Sequence, residues 1–271
     1  MDTQFSQRLA SGERVYGTAI VSPSPLWPKV VKSCGLDFVF LDTEHMPLGR
    51  ETLASMCQAY RALEIAPIVR IPNPDPYEAS KAMDAGAVGI VAPYLESPEQ
   101  IRDLVGATKY RPLKGKRLQE ILNSEIGPGR ELSDYLEKYN AGNVCIANIE
   151  SLPALDRLDD MLAVAGLDGV FIGPHDLSCS LGLPEQYNHP QFKEALSEII
   201  RKSREHHLAV GVHFPNWPEY QVEYVRAGAN IVIHSADITL FARQLKQDLD
   251  DIRKNIGDNE KAGDDMQTPV I

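Results

Sequence analysis

Eight short apolar runs recur along the chain, and they constrain its fold more than any other feature. They cover 16–21, 38–42, 66–71, 89–94, 144–150, 169–173, 209–214 and 230–234. Most lack polar–apolar alternation. A strand with one wet face alternates, whereas a strand covered on both faces does not, so these runs predict parallel strands buried between layers. Amphipathic segments separate them. Leu53, Met56, Cys57 and Tyr60 recur at helical spacing, as do Phe192, Ala195, Leu196, Ile199 and Ile200. After the last run come Ile238, Phe241, Leu245, Leu249 and Ile252. Such one-sided stripes are faces that cover a sheet. The final stripe has two destinations open to it, its own subunit or a neighbouring one.

Eight β units with intervening helices predict an α/β fold, a (β/α)8 TIM barrel. The chain has 271 residues, and 1–256 suffices for one such domain. A doubly wound open sheet would carry a glycine-rich turn after its first strand. Here that turn reads VSPSPLWP, with no GxGxxG. Two stretches break the rhythm. The long loop 109–142 holds PLKGKR, a GPGR turn and one short helix over SDYLEKYN, and is expected to shape the active site or a subunit contact. The tail 257–271 is polar and acidic and reads as flexible. Residues 3–11 are expected to form a short helix across the barrel bottom.

Composition excludes several classes. Lys and Arg number 27 against 38 Asp and Glu, a net charge of −11, which repels phosphates and argues against nucleic-acid binding. Hydrophobic residues make up 43%, enough for a full core. No apolar stretch is long enough to span a membrane and no signal-peptide pattern opens the chain, so a cytoplasmic protein is expected. Cys34, Cys57, Cys145 and Cys179 form no CxxC pair and read as buried, reduced thiols.

In a barrel of this kind chemistry belongs to the C-terminal ends of the strands. The second run ends in Asp42-Thr43-Glu44-His45, the third in Arg70, the fifth in Asn148-Ile149-Glu150, the sixth in Gly173-Pro174-His175-Asp176. Glu150 and Asp176 end neighbouring strands, and a divalent cation between them relieves their repulsion. Oxygen ligands favour Mg²⁺ or Mn²⁺, with Co²⁺ or Zn²⁺ as substitutes. The structural alternative is that both cap helices. Arg70 suits bidentate recognition of a carboxylate, or else an ion pair inside the rim. Asp42 and His45 form a carboxylate–imidazole pair in which the acid orients the ring and raises its basicity. The turn Gly173, Pro174, His175, Asp176 presents backbone N–H groups that hold carboxylates or phosphates. His213 and His234 either line the pocket or pack behind it. No run ends in lysine, which disfavours a Schiff-base aldolase and favours a metal-stabilised enolate.

The stretches GLDFVFLDTEH, APIVRIPNPDP, GAVGIVAPYLESPEQ, IANIES and GLDGVFIGPHDLS resemble the HpcH/HpaI family of class II, metal-dependent pyruvate aldolases. The resemblance runs in order from about Ser11 to Gln244. It implies a lyase that cleaves or forms 4-hydroxy-2-oxo acids, giving pyruvate and an aldehyde. It implies a homo-oligomer, a hexamer built as a trimer of dimers, in which subunits exchange a C-terminal helix. By this resemblance Glu150 and Asp176 hold the metal, and Arg70 binds the oxo acid and stabilises its enolate. His45, paired with Asp42, is the base, acting through a metal-bound water. The backbone from Gly173 to Asp176 holds the pyruvate carboxylate. The chain departs from the family at Asn148, where a Gln is common, and at Gly115-Lys116-Arg117-Leu118, where G-x-R-G is common. It departs again at His213 and His234, where small or amide residues are expected. Three alternatives share the barrel: an oxo-acid decarboxylase or cyclase, a CoA-ester lyase, and a barrel that binds an oxo acid without turnover.

Overall fold

The computed structural model describes residues 2–214 and 217–258. Eight parallel strands close into a barrel in chain order. They are β1 (Val15–Ile20), β2 (Phe38–Asp42), β3 (Ala66–Arg70), β4 (Gly89–Ala92), β5 (Val144–Ile149), β6 (Gly169–Ile172), β7 (Ala209–Phe214) and β8 (Ile231–Ala236). Each lies on one of the apolar runs, with ends shifted by two residues at most; at β4 Pro93 and Tyr94 already belong to the following loop.

Period-two alternation gives the barrel two cores. One set of side chains faces inward, among them Phe38, Phe40, Ile68, Val91, Ile146, Phe171 and Ile233. The other faces the helices, as Val39, Leu41, Val69, Ile90, Cys145, Ile172 and Phe214 do. Phe214 packs on Tyr220 at 4.9 Å and Tyr187 at 5.4 Å in that outer layer. The stripe Leu53, Met56, Cys57 and Tyr60 is buried there, as is that of the helix Pro190–Glu205. The opening helix Asp2–Ala10 closes the bottom: Phe5 and Leu9 join the inner core, and Phe5 meets Phe38 at 5.8 Å. Following the inward row upward from Phe38 and Phe40 leads to Asp42. From Ala66 and Ile68 it leads to Arg70, from Val144 and Ile146 to Asn148 and Glu150, and from Ala209 to His213. The polar residues at the mouth therefore continue the core rows by the same two-residue period.

The stretch 109–142 holds more structure than one short helix. Helices run over Gly115–Leu122 and Arg130–Tyr139. The first packs closely on the preceding helix, where a Cβ at Gly106 would sit 2.7 Å from Leu122. The stretch connects the helix Pro98–Lys109 to the start of β5, so it lies at the N-terminal rim, opposite its own barrel's mouth. Lys109 anchors it there through Asp168, 2.7 Å away.

The final helix, Asp237–Ile256, departs from expectation. Only its first turn docks, with Asp237 and Thr239 buried. Asp237 accepts the N–H groups of Val21 and Ser22, both at 3.1 Å, and so ties the helix to the end of β1. Ile238, Phe241, Leu245, Leu249 and Ile252 are exposed and cover no part of their own sheet. Of the tail 257–271, Gly257 takes a left-handed φ of 78° as the helix C-cap, and residues beyond Asp258 lie outside the described residues. All four cysteines are free. Cys57 and Cys145 are buried as expected, with thiols pushed up to about 12 by burial, whereas Cys34 and Cys179 are exposed. Among the described residues no helix is long and apolar enough to cross a membrane.

Candidate active site

The mouth is organised around a buried ion pair. Asp42 and Arg70 are register partners across β2 and β3, so their inward side chains meet. Arg70 Nε and Nη2 donate to the two Asp42 oxygens at 2.8 and 2.7 Å. Burial alone would push the Asp42 carboxyl up, but the bonds and charge of Arg70 and the Glu44 backbone N–H hold it below the usual range. Burial would likewise lower Arg70, and Asp42, Glu44 and Glu150 together raise it. The guanidinium carbon lies 5.4 Å above the Phe40 ring, which stacks on Phe171 at 5.5 Å. These two rings form the floor of the site, and the cation is fixed upon it with Nη1 left over for a ligand.

The expected Asp42–His45 pair is replaced by this arrangement. Asp42 is spent on Arg70 and on the Glu44 N–H at 3.0 Å, while His45 is half-exposed with Nε2 3.8 Å from Glu44 Oε2. The reason is reach: Asp42 points into the barrel, whereas the chain has left the strand by His45. Glu44, given no role from sequence, links the parts. It sits 3.2 Å from Arg70 Nε, and its bond to the Tyr94 hydroxyl pushes that phenol up to about 12. The D-x-E-H spacing was the available signal for Glu44. Tyr94, in the loop after β4 with φ 55°, had none beyond its place at a strand end.

Glu150 directly follows β5, buried in continuation of the inward row. Its Oε1 accepts the Tyr94 backbone N–H at 2.9 Å, and its Oε2 accepts from Asn148 Nδ2. Burial raises its carboxyl to about 7, the Tyr94 N–H opposes the rise, the charges of Asp176 and Glu44 add to it, and Arg70 offsets part. Asp176 stands in the first turn of the helix Pro174–Ser180, whose N-cap is Gly173. Neither acid caps a helix in the way the structural alternative required, because Ser151 and Gly173 occupy those cap positions. Gly173 is a cradle: a Cβ there would lie 2.6 Å from Glu150 Oε2 and 3.4 Å from Asn148 Nδ2. The first helical bond runs from Leu177 N to Gly173 O, which leaves the N–H groups of His175 and Asp176 without a helical acceptor. The His175 ring turns aside, between Glu185 at 3.8 Å and Cys179 at 4.0 Å.

This donor set fits a divalent cation. Asn148 Oδ1 is a buried acceptor with no partner, beside two carboxylates of which one is costly to ionise. Among the described residues no third His, Cys, Asp or Glu joins them, so substrate and water would complete the shell.

The two added histidines separate. His213 lies inside the barrel, buried, 6.1 Å from Phe40. His234 does not line the same pocket. It borders an apolar groove outside the barrel, with Thr18, Trp27, Val31 and Phe241. The cause is the period-two alternation of β8: Ile231 and Ile233 face inward, so His234, register partner of the outward Phe214, faces the helices, and the irregularity between Gly17 and Ala19 resets the facing only beyond it, at Ala236.

Comparison with known proteins follows the same lines. The chain is 31% identical over 254 residues to the 2-keto-3-deoxy-L-rhamnonate aldolase of Escherichia coli K12, covering 92% of each. Among solved structures it resembles an HpcH/HpaI aldolase/citrate lyase family protein from Burkholderia cenocepacia J2315, with a TM-score of 0.80, 28% identity and coverage of 93% and 99%. It also resembles the citrate synthase SbnG, with a TM-score of 0.78, 30% identity and coverage of 92% and 97%. The profile of HpcH/HpaI aldolase/citrate lyase matches residues 20–243. The chain belongs to the HpcH/HpaI aldolase/citrate lyase family, and it is a lyase of the class II aldolase type.

Proposed function

We propose that this enzyme cleaves, or forms, 4-hydroxy-2-oxo acids, with pyruvate and an aldehyde as the products of cleavage. The observation that carries the reading is one mouth holding a fixed guanidinium opposite two carboxylates: Arg70 on Asp42, facing the buried Glu150 and the exposed Asp176. Glu150 and Asp176 would hold a divalent cation, Mg²⁺ or Mn²⁺ by their oxygen chemistry, which supplies positive charge where the keto oxygen of a 2-oxo acid gathers electrons.

Arg70 adds a second cation on the same oxygen, already oriented by Asp42, so little reorganisation is needed as charge develops. Phe40 and Phe171 keep water from beneath it. The N–H groups of His175 and Asp176 bind the carboxylate, with Asn148 steadying Glu150 alongside. His45, half-exposed at the mouth beside Glu44, takes the proton of the C4 hydroxyl. The C3–C4 bond then breaks, its electrons pass to the enolate, and protonation at C3 yields pyruvate. The assembly is a homo-oligomer in which the final helix buries Phe241, Leu245 and Ile252 against a neighbouring copy.

The test is pyruvate release from 4-hydroxy-2-oxo acids by chelator-stripped protein, coupled to a reporting dehydrogenase while Mg²⁺, Mn²⁺ and Co²⁺ are titrated. Metal-dependent release, reduced at least about a hundredfold in Glu150→Gln, is expected. Equal release with chelator present, or turnover of oxaloacetate alone, overturns the reading in favour of a different enzyme on the same barrel.

A further inference from the structure

Tyr94 takes no part in the reaction drawn above, yet it touches acids on both sides of the mouth. It follows Pro93 in the loop after β4, with a left-handed φ of 55° that a bulky residue rarely adopts. Such a conformation persists only where the surroundings hold it. Core packing does not hold this one, because the residue is 56% exposed. Two polar contacts do. The backbone N–H donates to Glu150 Oε1 at 2.9 Å. The ring reaches from the loop after β4, past the end of β3, to the loop after β2, where its hydroxyl bonds Glu44. A carboxylate only accepts, so the hydroxyl is the donor.

The consequence lies in what Glu44 stands beside. It is 3.2 Å from Arg70 Nε, on a guanidinium that Asp42 already holds through bonds of 2.8 and 2.7 Å. Strand register fixes Asp42, whereas Glu44 comes from a loop, and its place depends on what it bonds. The carboxylate of a 2-oxo acid, or the enolate formed from it, is one more anion for the same cation. An unrestrained Glu44 follows the attraction of Arg70 and competes with that anion. Arg70 is buried, which strengthens the competition. The Tyr94 hydroxyl gives Glu44 a second anchor, on the β4 side, through a neutral donor.

We propose that Tyr94 is a positioning residue: its hydroxyl restrains Glu44, and the restraint keeps the Arg70 guanidinium available to the 2-oxo acid. This rests on the lyase reading above and adds a residue to that same site.

The experiment measures, by calorimetry on the full chain, the Kd of Mn²⁺ and then the Kd of pyruvate with Mn²⁺ bound. The proteins are wild type, Tyr94→Phe, Glu44→Gln and the double variant. Tyr94→Phe keeps the ring and the N–H on Glu150 and removes one oxygen. Its pyruvate Kd is expected to rise at least about fivefold, within the roughly hundredfold that one hydrogen bond to a charged group supplies. Its Mn²⁺ Kd is unchanged, since the contact to Glu150 is main chain. In Glu44→Gln the competing charge is gone, so adding Tyr94→Phe alters the pyruvate Kd by less than about twofold. A merely structural role would not be suppressed in that way. An unchanged pyruvate Kd in Tyr94→Phe overturns the proposal. An equal rise in both backgrounds also overturns it, because the two side chains then act independently. So does a Mn²⁺ Kd that weakens in step, which places the effect on Glu150. Wild type that binds no pyruvate removes the lyase reading and this proposal with it.

Discussion

Replacing Arg70 with Met isolates the buried ion pair at the end of β3. Methionine keeps the length of the stem over the Phe40 ring and deletes only the guanidinium. Asp42 then stays at 0% exposure with its two bonds of 2.8 and 2.7 Å gone, and the Glu44 N–H as its remaining donor. Bonds to charged groups contribute about 1.5–3 kcal/mol each, and breaking a buried pair costs about 3–5 kcal/mol in total. A loss of about 4 kcal/mol at pH 8 is expected, measured by urea denaturation. The pH dependence is the sharper test. In the wild type the folded Asp42 pKa is depressed, so its contribution is present above the unfolded value and is lost as pH falls through the folded one. In the variant burial is left nearly unopposed, and the folded pKa rises above the unfolded value. The folded variant then binds the extra proton, and its stability falls as pH rises. The deficit against wild type shrinks as pH is lowered from 8 to 5, by about 1.4 kcal/mol for each unit over which only the folded carboxyl is protonated. Glu150 shifts in the same direction, because Arg70 lowers its pKa in the wild type. A deficit under about 1 kcal/mol at pH 8, or one flat across that range, would refute the reasoning.

Two further perturbations test the cradle and the helix. Gly173→Ala places a methyl 2.6 Å from Glu150 Oε2, at a φ of −85° that alanine tolerates, so the carboxylate must move. Pyruvate release should fall at least about tenfold and the Mn²⁺-induced rise in Tm should shrink, with the metal-free Tm lowered by no more than an overpacking cost of about 1–3 kcal/mol. Normal metal response in that variant removes the cradle. The double substitution Phe241→Glu with Leu245→Glu charges the exposed stripe of the final helix. Sedimentation velocity should show a smaller species with unchanged helical content, and an unchanged mass sinks the proposed subunit contact.

Much of the site was legible because the barrel transmits a local period to its rim. Asp42, Arg70, Asn148, Glu150 and His213 each lie an even number of residues beyond an inward core side chain, so finding the strands located the functional row. What lay off the strands was not legible in that way. Glu44 and Tyr94 reach the site from loops after β2 and β4, and loop side chains follow no period. His234 fell outside the pocket because it follows the inward Ile233 by one residue, which sets it on the outward row by the same period.

The amino-acid sequence by itself determined the barrel, since near-continuous apolar runs and one-sided helical stripes are local patterns with one efficient way to bury both. It also determined which chemistries were within reach: acids and a guanidinium at strand ends, and no lysine among them. Only the tertiary structure decided the partners. Asp42 binds Arg70 rather than His45 because register sets residues 28 positions apart side by side, closer than the next turn of the chain. Glu150 is costly to ionise because the fold buries it near Asp176 and Glu44. The stretch 109–142 lies at the far rim, and the final helix shows its apolar stripe to solvent, because both follow from where the closed sheet delivers the chain. Pairing energies depend on distance and solvent access, and those exist only once the barrel has closed.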